Sequence, residues 1–474
     1  MIAIGVRYLS GRSVAGNPSQ RQEPEWPPHP ARLFMALAAA HFETAEPDPA
    51  ERRALQWLEG QEQPTIVAHH QVQPRSYVET FVPVNDQAGT ILARPRQPRA
   101  FASAYVGDEP VIFQWQAEPD VEVRSALGNL CSRVTRIGHS SSLVQSWLAE
   151  GTGAAGWKPV EFAAAARPMR VATNGTLGYL ESAYGNERPK IARWQPYLAP
   201  EAGASGSDAS ALGPFEPDLV VFTKMEGQPL GLETTLQLTS ALRNAAMNAS
   251  QGPVPEWLSG HGEDRGPSRG PHAAFFPLPF VGGERGDGHV LGLAMAIPRQ
   301  LTQESLRPIL APLLFTESGT PREVDLWCGT PPGASKSRVF WRWKLRRETR
   351  DFPPLALRAE TWTGPATLWA SVTPVVLHHY PKPKREGDVE RIVRAAFASA
   401  LLPEPEEVRV RPVSVFAGAG HARSMPEYDE GGEKLCRYQT HVRVRFKQSV
   451  RGPVLAGRGR FRGYGLFRPL GGGE

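Results

Sequence analysis

The chain has 474 residues, 41% of them hydrophobic, with 53 Lys/Arg against 48 Asp/Glu and a net charge of +5. That is enough apolar material for two to four folded domains, and it excludes a disordered polyelectrolyte. The charge is uneven: from residue 334 onward there are 26 Lys/Arg against 14 Asp/Glu, and from Lys434 to Gly473 there is no acid at all.

A polyanion therefore belongs on the last third. Cys131, Cys328 and Cys436 are widely separated and form no C-x-x-C pair, which speaks against a disulfide framework and a zinc site. No Asp, Glu and His cluster has metal-site spacing, so neither a metal nor another cofactor is expected. No apolar run reaches the ~18–20 residues of a membrane span, and the N-terminus reads as a strand rather than a signal peptide. The expectation is a protein of the reducing cytoplasm without a membrane partner.

In chain order, a strand is predicted over residues 2–9, followed by a polar loop with Arg12 and Arg21. The segment Glu25-Trp-Pro-Pro-His-Pro30 then leads into a helix from about Ala31 to Phe42. Leu33, Phe34 and Leu37 give that helix an apolar stripe, and proline at its start sits where no amide donor is needed. Arg32 falls in the first turn, beside a stiff loop, either as an RNA contact or as an ordinary surface residue. Arg94, Arg96 and Arg99 cluster with prolines in a positive loop. The turn Val134–Ser142 carries Arg136 and three serines, whose hydroxyls either bind phosphate or cap a helix running to about Leu148; capping is favoured. Residues 201–212 are small and polar and mark the principal boundary.

Beyond it, a strand is predicted at 219–223 and a helix at about 232–249. A long loop dense in Gly, Pro and charge follows, with His261 in Ser-Gly-His and His272 in Pro-His. Long loops that bear histidines are more often functional than structural. The final stretch reads as a strand at 367–377, a helix at 388–401 and strands at 408–416, 438–446 and 466–469. Val389, Ile392, Val393, Ala396, Phe397 and Ala400 recur at helical spacing. The predicted class is α+β, with tandem ferredoxin-like (RRM-type) domains joined by long Gly/Pro-rich loops. The expected organisation is a first domain over 1–205 and a second region over 213–474, built of units at 213–350 and 360–474.

The segment 457–469 is Gly-Arg-Gly-Arg-Phe-Arg-Gly-Tyr-Gly-Leu-Phe-Arg-Pro. Gly457, Gly459, Gly463 and Gly465 allow close backbone approach. Arg458, Arg460 and Arg462 suit phosphates, and the aromatics suit base faces. The spacing is wrong for a dinucleotide fingerprint, and no Gly-Lys-Ser/Thr follows as a Walker motif would require. Taken as extended, the segment would place its three arginines on one face. A solvated basic tail is the bland alternative, but Tyr464, Leu466 and Phe467 argue against it.

Four ordered motifs carry a family resemblance. They are Glu25-Trp-Pro-Pro-x-Pro-x-Arg32-Leu-Phe; Ser259-Gly-His261 with Pro271-His272 and Pro-Leu-Pro-Phe-Val281; His441 with Val450-Arg-Gly-Pro453; and the terminal glycine loop. Together they resemble the type I-G (formerly I-U) CRISPR effector subunit, a fusion of the crRNA 5′-handle-binding subunit with the repeat-cleaving endoribonuclease, both of the RAMP superfamily. The resemblance implies that the first half holds the 5′ end of a guide RNA. It implies that the second half cleaves precursor crRNA without metal, leaving a 2′,3′-cyclic phosphate. The implied partners are crRNA and its precursor, the backbone and large subunits of the effector complex, and, through the complex, target DNA.

Metal-free RNA cleavage needs a base for the 2′-hydroxyl, a proton for the departing 5′-oxygen and positive charge at the phosphorus. Histidine suits the proton transfers. His261 is the expected general base, with His272, His421 and His379 as alternates. Lys382, Lys384, His441, Arg443 and Arg445 join the glycine loop, Arg21, Arg32 and Arg136 as expected RNA contacts. A non-catalytic guide-RNA-binding subunit is the competing reading.

Overall fold

A computed structural model describes residues 1–17, 20–69, 73–75, 79–83, 90, 94–163, 166–183, 193–200, 211–262, 266, 268, 270, 272–329, 339–350, 353–382, 386–427 and 438–470. The protein is α+β, with mostly antiparallel sheets. Two compact units divide it. One comprises Met1–Ala204 with Glu317–Thr320 and Arg350–Phe352, and the other comprises the rest. Among the described residues, no helix is long and apolar enough to cross a membrane.

The first unit opens with the strand Ile2–Tyr8, whose alternation buries Ile2, Ile4, Val6 and Tyr8 on one face. On the other face, Gly5 leaves room for the Trp147 ring, since a Cβ there would stand 2.6 Å from it. This strand pairs antiparallel with both Val111–Trp115 and Val144–Ala149, and Val111–Trp115 pairs with Thr65–Val67. Numbered along the chain, the spatial order is 4-1-3-2, the ferredoxin-like arrangement. Helix Pro30–Phe42 starts on its proline and buries Leu33, Phe34 and Leu37. The side chain of Asp48 caps Pro49–Glu59 by accepting from the Ala50 amide, and Asp120 caps Val121–Arg133 through Val123.

The expected helix up to Leu148 is instead the strand Val144–Ala149, an edge partner of Ile2–Tyr8. Ser142 caps nothing; its hydroxyl accepts from the Val14 amide at 2.7 Å. Tertiary pairing overrides a weak local signal here.

The second unit carries two further sheets related to this arrangement, the first with a fifth strand inserted beside its central one. In its first sheet the order is Ala274–Pro279, Val290–Ala296, Val220–Glu226, Val339–Arg347, Glu323–Gly329. Helix Thr235–Ala249 follows the first of these strands in sequence, and Gln303–Leu314 precedes the last two. The second sheet places Glu407–Arg411, Gln439–Arg451, Ala366–Ser371 and Phe467–Pro469 in the same 2-3-1-4 order. Helix Asp388–Ser399 buries Ile392, Val393, Ala396 and Phe397 completely, each large side chain contributing about 2–3 kcal/mol of burial. Where the second helix of such a unit would stand, the chain instead runs through the glycine segment and one 3₁₀ turn, Arg460–Arg462. The strands predicted at 367–377 and 408–416 are shorter, ending at Ser371 and Arg411, with Val375–Val376 as a separate pair.

Candidate functional site

The glycine segment is folded rather than extended. Gly459 and Gly463 flank the 3₁₀ turn with φ of +82° and +86°, a region that side-chain-bearing residues avoid. Arg460 and Arg462 therefore diverge, correcting the expectation of three arginines on one face. The guanidinium of Arg460 lies 4.4 Å from the centre of the Phe461 ring, and its Nη2 donates to the Ser399 carbonyl at 3.4 Å. Arg462 turns toward helix Thr235–Ala249. Its Nη2 donates to the Ser240 hydroxyl, and its carbonyl accepts from Thr239 Oγ1 at 3.1 Å. Arg458 is fixed by its backbone, whose amide donates to the Val376 carbonyl at 2.8 Å. A Cβ at Gly457 would come within 2.8 Å of that same carbonyl, and one at Gly465 within 1.8 Å of the Ala456 carbonyl.

Against this turn lies the histidine loop. Helix Glu256–Ser259 ends at Gly260 in the left-handed region. An added Cβ at Gly260 would sit 3.3 Å from His272, so glycine lets the backbone pass close to that ring. His272 packs on Phe461 with ring centres 3.6 Å apart. Burial lowers its pKa, the Gly270 carbonyl opposes that, and Arg460, Arg243 and His261 lower it further. The balance is downward, which favours the neutral imidazole. The exposed His261 donates Nδ1–H to the Ser259 carbonyl at 2.9 Å, so in the neutral ring Nε2 is the acceptor nitrogen. Arg243 Nη2 donates to that same Ser259 carbonyl. Two imidazoles and the guanidiniums of Arg243, Arg460 and Arg462 meet where the two ferredoxin-like folds of the second unit pack. That is one potential proton acceptor set among fixed positive charges.

The other expected site residues distribute as follows. His379 is exposed just after Val375–Val376. Its neighbour His378 shares Ser399 with Arg460, through Oγ at 3.2 Å. Lys382 is exposed, while Lys384 lies outside the described residues. His421 caps a short 3₁₀ turn, its Nδ1 accepting from the Arg423 amide at 2.9 Å. Arg443 is half-buried and Arg445 exposed, the latter near Glu407. His441, expected to line an RNA surface, is buried at 1% exposure against Ser371. Desolvation brings its pKa down to about 4, opposed by the Ser371 carbonyl and assisted by His421. It cannot present a face to RNA in this conformation.

In the first unit, Arg32 is neither a free cation nor an ordinary surface residue. Its Nε and Nη2 both donate to Glu25, which also accepts from Arg170 at 2.9 Å and from the His29 amide at 3.2 Å. Burial raises the Glu25 pKa, but His29, Arg32 and Arg170 outweigh it and hold the carboxyl at about 2. Arg136 pairs with Glu43 at 2.9 Å. Arg21 lies in the strand Gln20–Pro24, and its side chain is outside the described set.

The sequence reading missed Arg243 and Arg170. The first had a signal: Thr239, Ser240 and Arg243 form a polar stripe at i, i+1, i+4 on a helix whose Leu238, Leu242 and Ala246 are buried.

Residues 6–94 match the family described as "CRISPR-associated protein, GSU0054 family". No curated protein matches the chain. Among solved structures, one titled "CRISPR associated protein Cas6" is similar over 53% of this chain and 98% of its own, with 11% identity and a TM-score of 0.28.

Proposed function

We propose that this protein binds a CRISPR guide RNA and cleaves its precursor within the repeat by metal-independent attack of a 2′-hydroxyl, then keeps the product. The observation that carries the reading is the meeting of His261 and His272 with Arg243, Arg460 and Arg462 around the glycine turn. The match of residues 6–94 to a CRISPR-associated family supports the biological setting. The basic last third suits an RNA ligand.

His261 Nε2 takes the 2′-hydroxyl proton. The 2′-oxygen bonds to phosphorus, the bond from phosphorus to the 5′-oxygen breaks, and that oxygen takes a proton from solvent. A 2′,3′-cyclic phosphate and a 5′-hydroxyl result. The guanidiniums carry the charge that builds on the phosphorane oxygens, since cations held in place need no reorganisation as the reaction proceeds. His272, stacked on Phe461, positions the loop that bears His261 and offers a second acceptor. The first unit holds the 5′ part of the guide, and the protein works within an effector complex.

Incubating the protein with its cognate repeat RNA in EDTA tests the reading. Cleavage once per repeat, with cyclic-phosphate ends, is expected. Tight binding without any cleavage, with or without added magnesium, would instead establish a guide-binding subunit without catalysis.

A further inference from the structure

The first unit carries a cleft of about 590 Å³ that the cleavage reading does not use. Its floor is the partly buried flank of helix Pro30–Phe42 formed by Met35, Ala36 and Ala39, of which Met35 and Ala36 also touch the edge of the core. Leu33, Phe34 and Leu37 are fully buried in the hydrophobic core. Small residues on that flank leave a shallow trough. Trp194 contributes to its wall.

Around the trough stand Arg32, Arg133, Arg136 and Arg170. Carboxylates pin all four: Glu25 holds Arg32 and Arg170, Glu51 holds Arg133, and Glu43 holds Arg136. Glu25 and Glu51 are only 2% and 4% exposed, so they lie behind the guanidiniums; of the three acids, Glu43 alone lines the cleft. Arg32 uses Nε and Nη2 on Glu25. Its Nη1 lies beside Gly138, where φ is +82° and an added Cβ would stand 3.2 Å away. The Nε groups of Arg133 and Arg170 are enclosed without an acceptor. The guanidiniums of Arg32, Arg133 and Arg170, fixed from behind, are pre-organised donors whose planar forks match the oxygens of a phosphate, while Arg136 would exchange Glu43 for that phosphate.

We propose that this cleft binds a nucleoside monophosphate unit, free or at the end of a strand, with phosphate on Arg133, Arg136 and Arg170 and the base over Met35 and Ala39 beside Trp194. The volume lies within the range of small-ligand sites, roughly 300–1,000 Å³. Two alanines beside Met35 leave room for a planar ring, and the excess of guanidinium over carboxylate at the cleft face calls for an anion. The reading is independent of cleavage, because it concerns binding to the first unit alone.

The test is calorimetric titration of the full chain with AMP, UMP, inorganic phosphate, and short RNA carrying either a 5′-phosphate or a 5′-hydroxyl. Two variants accompany it. Ala39→Leu fills the floor with a good helix former, and Arg136→Gln removes the most exposed guanidinium. A nucleotide or the 5′-phosphorylated strand should bind more tightly than inorganic phosphate; Arg136→Gln should weaken it about tenfold, the scale of one lost charge-assisted contact, and Ala39→Leu should weaken it about as much by occupying the place of the base. Binding of AMP or UMP identifies a free nucleotide as sufficient. Binding of the 5′-phosphorylated strand alone identifies a terminal unit. Equal affinity of wild type and both variants for every probe would overturn the proposal, as would inorganic phosphate binding as tightly as a nucleotide. Loss of RNA cleavage has no bearing on either result.

Discussion

Gly463→Val puts the geometry of the glycine turn to a quantitative test. Gly463 holds φ at +86°, and a Cβ there would lie 2.8 Å from Thr235 Cγ2, 3.0 Å from Pro277 Cδ and 3.2 Å from the Phe275 carbonyl. The left-handed backbone costs a side-chain-bearing residue about 1–2 kcal/mol. Forcing extra methyl groups into a packed contact adds about 1–3 kcal/mol. The neighbours can yield little, because Thr235 is buried on its helix and Phe275 and Pro277 lie in a fully buried strand. The expected loss of unfolding free energy is therefore about 2–5 kcal/mol, a large share of the ~5–15 kcal/mol typical of a domain. Gly463→Ala avoids the branched crowding and should lose less. Urea denaturation followed by fluorescence gives the midpoint and slope. Filter binding of repeat RNA, below the denaturation range, then shows whether Arg460 and Arg462 have lost their placement. A valine variant with wild-type midpoint and slope would refute the reasoning, because a left-handed residue wedged between Thr235 and Pro277 cannot accept a valine without cost.

His261→Ala should lower the cleavage rate on the order of a hundredfold or more and leave RNA affinity nearly unchanged; a wild-type single-turnover rate would move the base to His272, His421 or His379. Neutralising Arg458 and Arg460 together should weaken RNA binding and reduce the slope of log affinity against log salt by about one per lost phosphate contact, and an unchanged slope would place the RNA path elsewhere. His441 is buried with its pKa lowered to about 4, whereas in the unfolded chain it titrates near 6.5. The unfolded state therefore binds its proton first, so stability is full above pH 6.5 and falls as pH drops toward 4, by about 3 kcal/mol at most. His441→Gln should flatten that part of the stability profile, and denaturation midpoints of both proteins between pH 7 and 4 check it.

Much of the fold is written in local pattern. Apolar residues three and four apart specify the helices at 30–42 and 388–399, and the alternation in Ile2–Tyr8 specifies a half-covered strand, because periods of 3.6 and 2 are properties of the backbone itself. The α+β class followed from the order of those elements. Local pattern failed where pairing partners come from far away. Val144–Ala149 became a strand because Ile2–Tyr8 lies beside it, and His441 became a core residue although its strand alternates as expected, with Arg445 two positions beyond Arg443 still exposed. The period says which residues share a face. It does not say where along that face the rest of the protein lies, and Ser371 comes to cover His441 from 70 residues away.

The glycine segment divides in the same manner. Its composition alone pointed to close backbone approach and to anions. Only the tertiary structure decided that Gly459 and Gly463 bend it into a 3₁₀ turn, that Arg462 leaves the expected arginine face for Ser240, and that Phe461 lies on His272. Those contacts span roughly two hundred residues, a separation at which sequence spacing carries no geometric information. They form because the turn must pack against a helix and a strand that close the other ferredoxin-like fold.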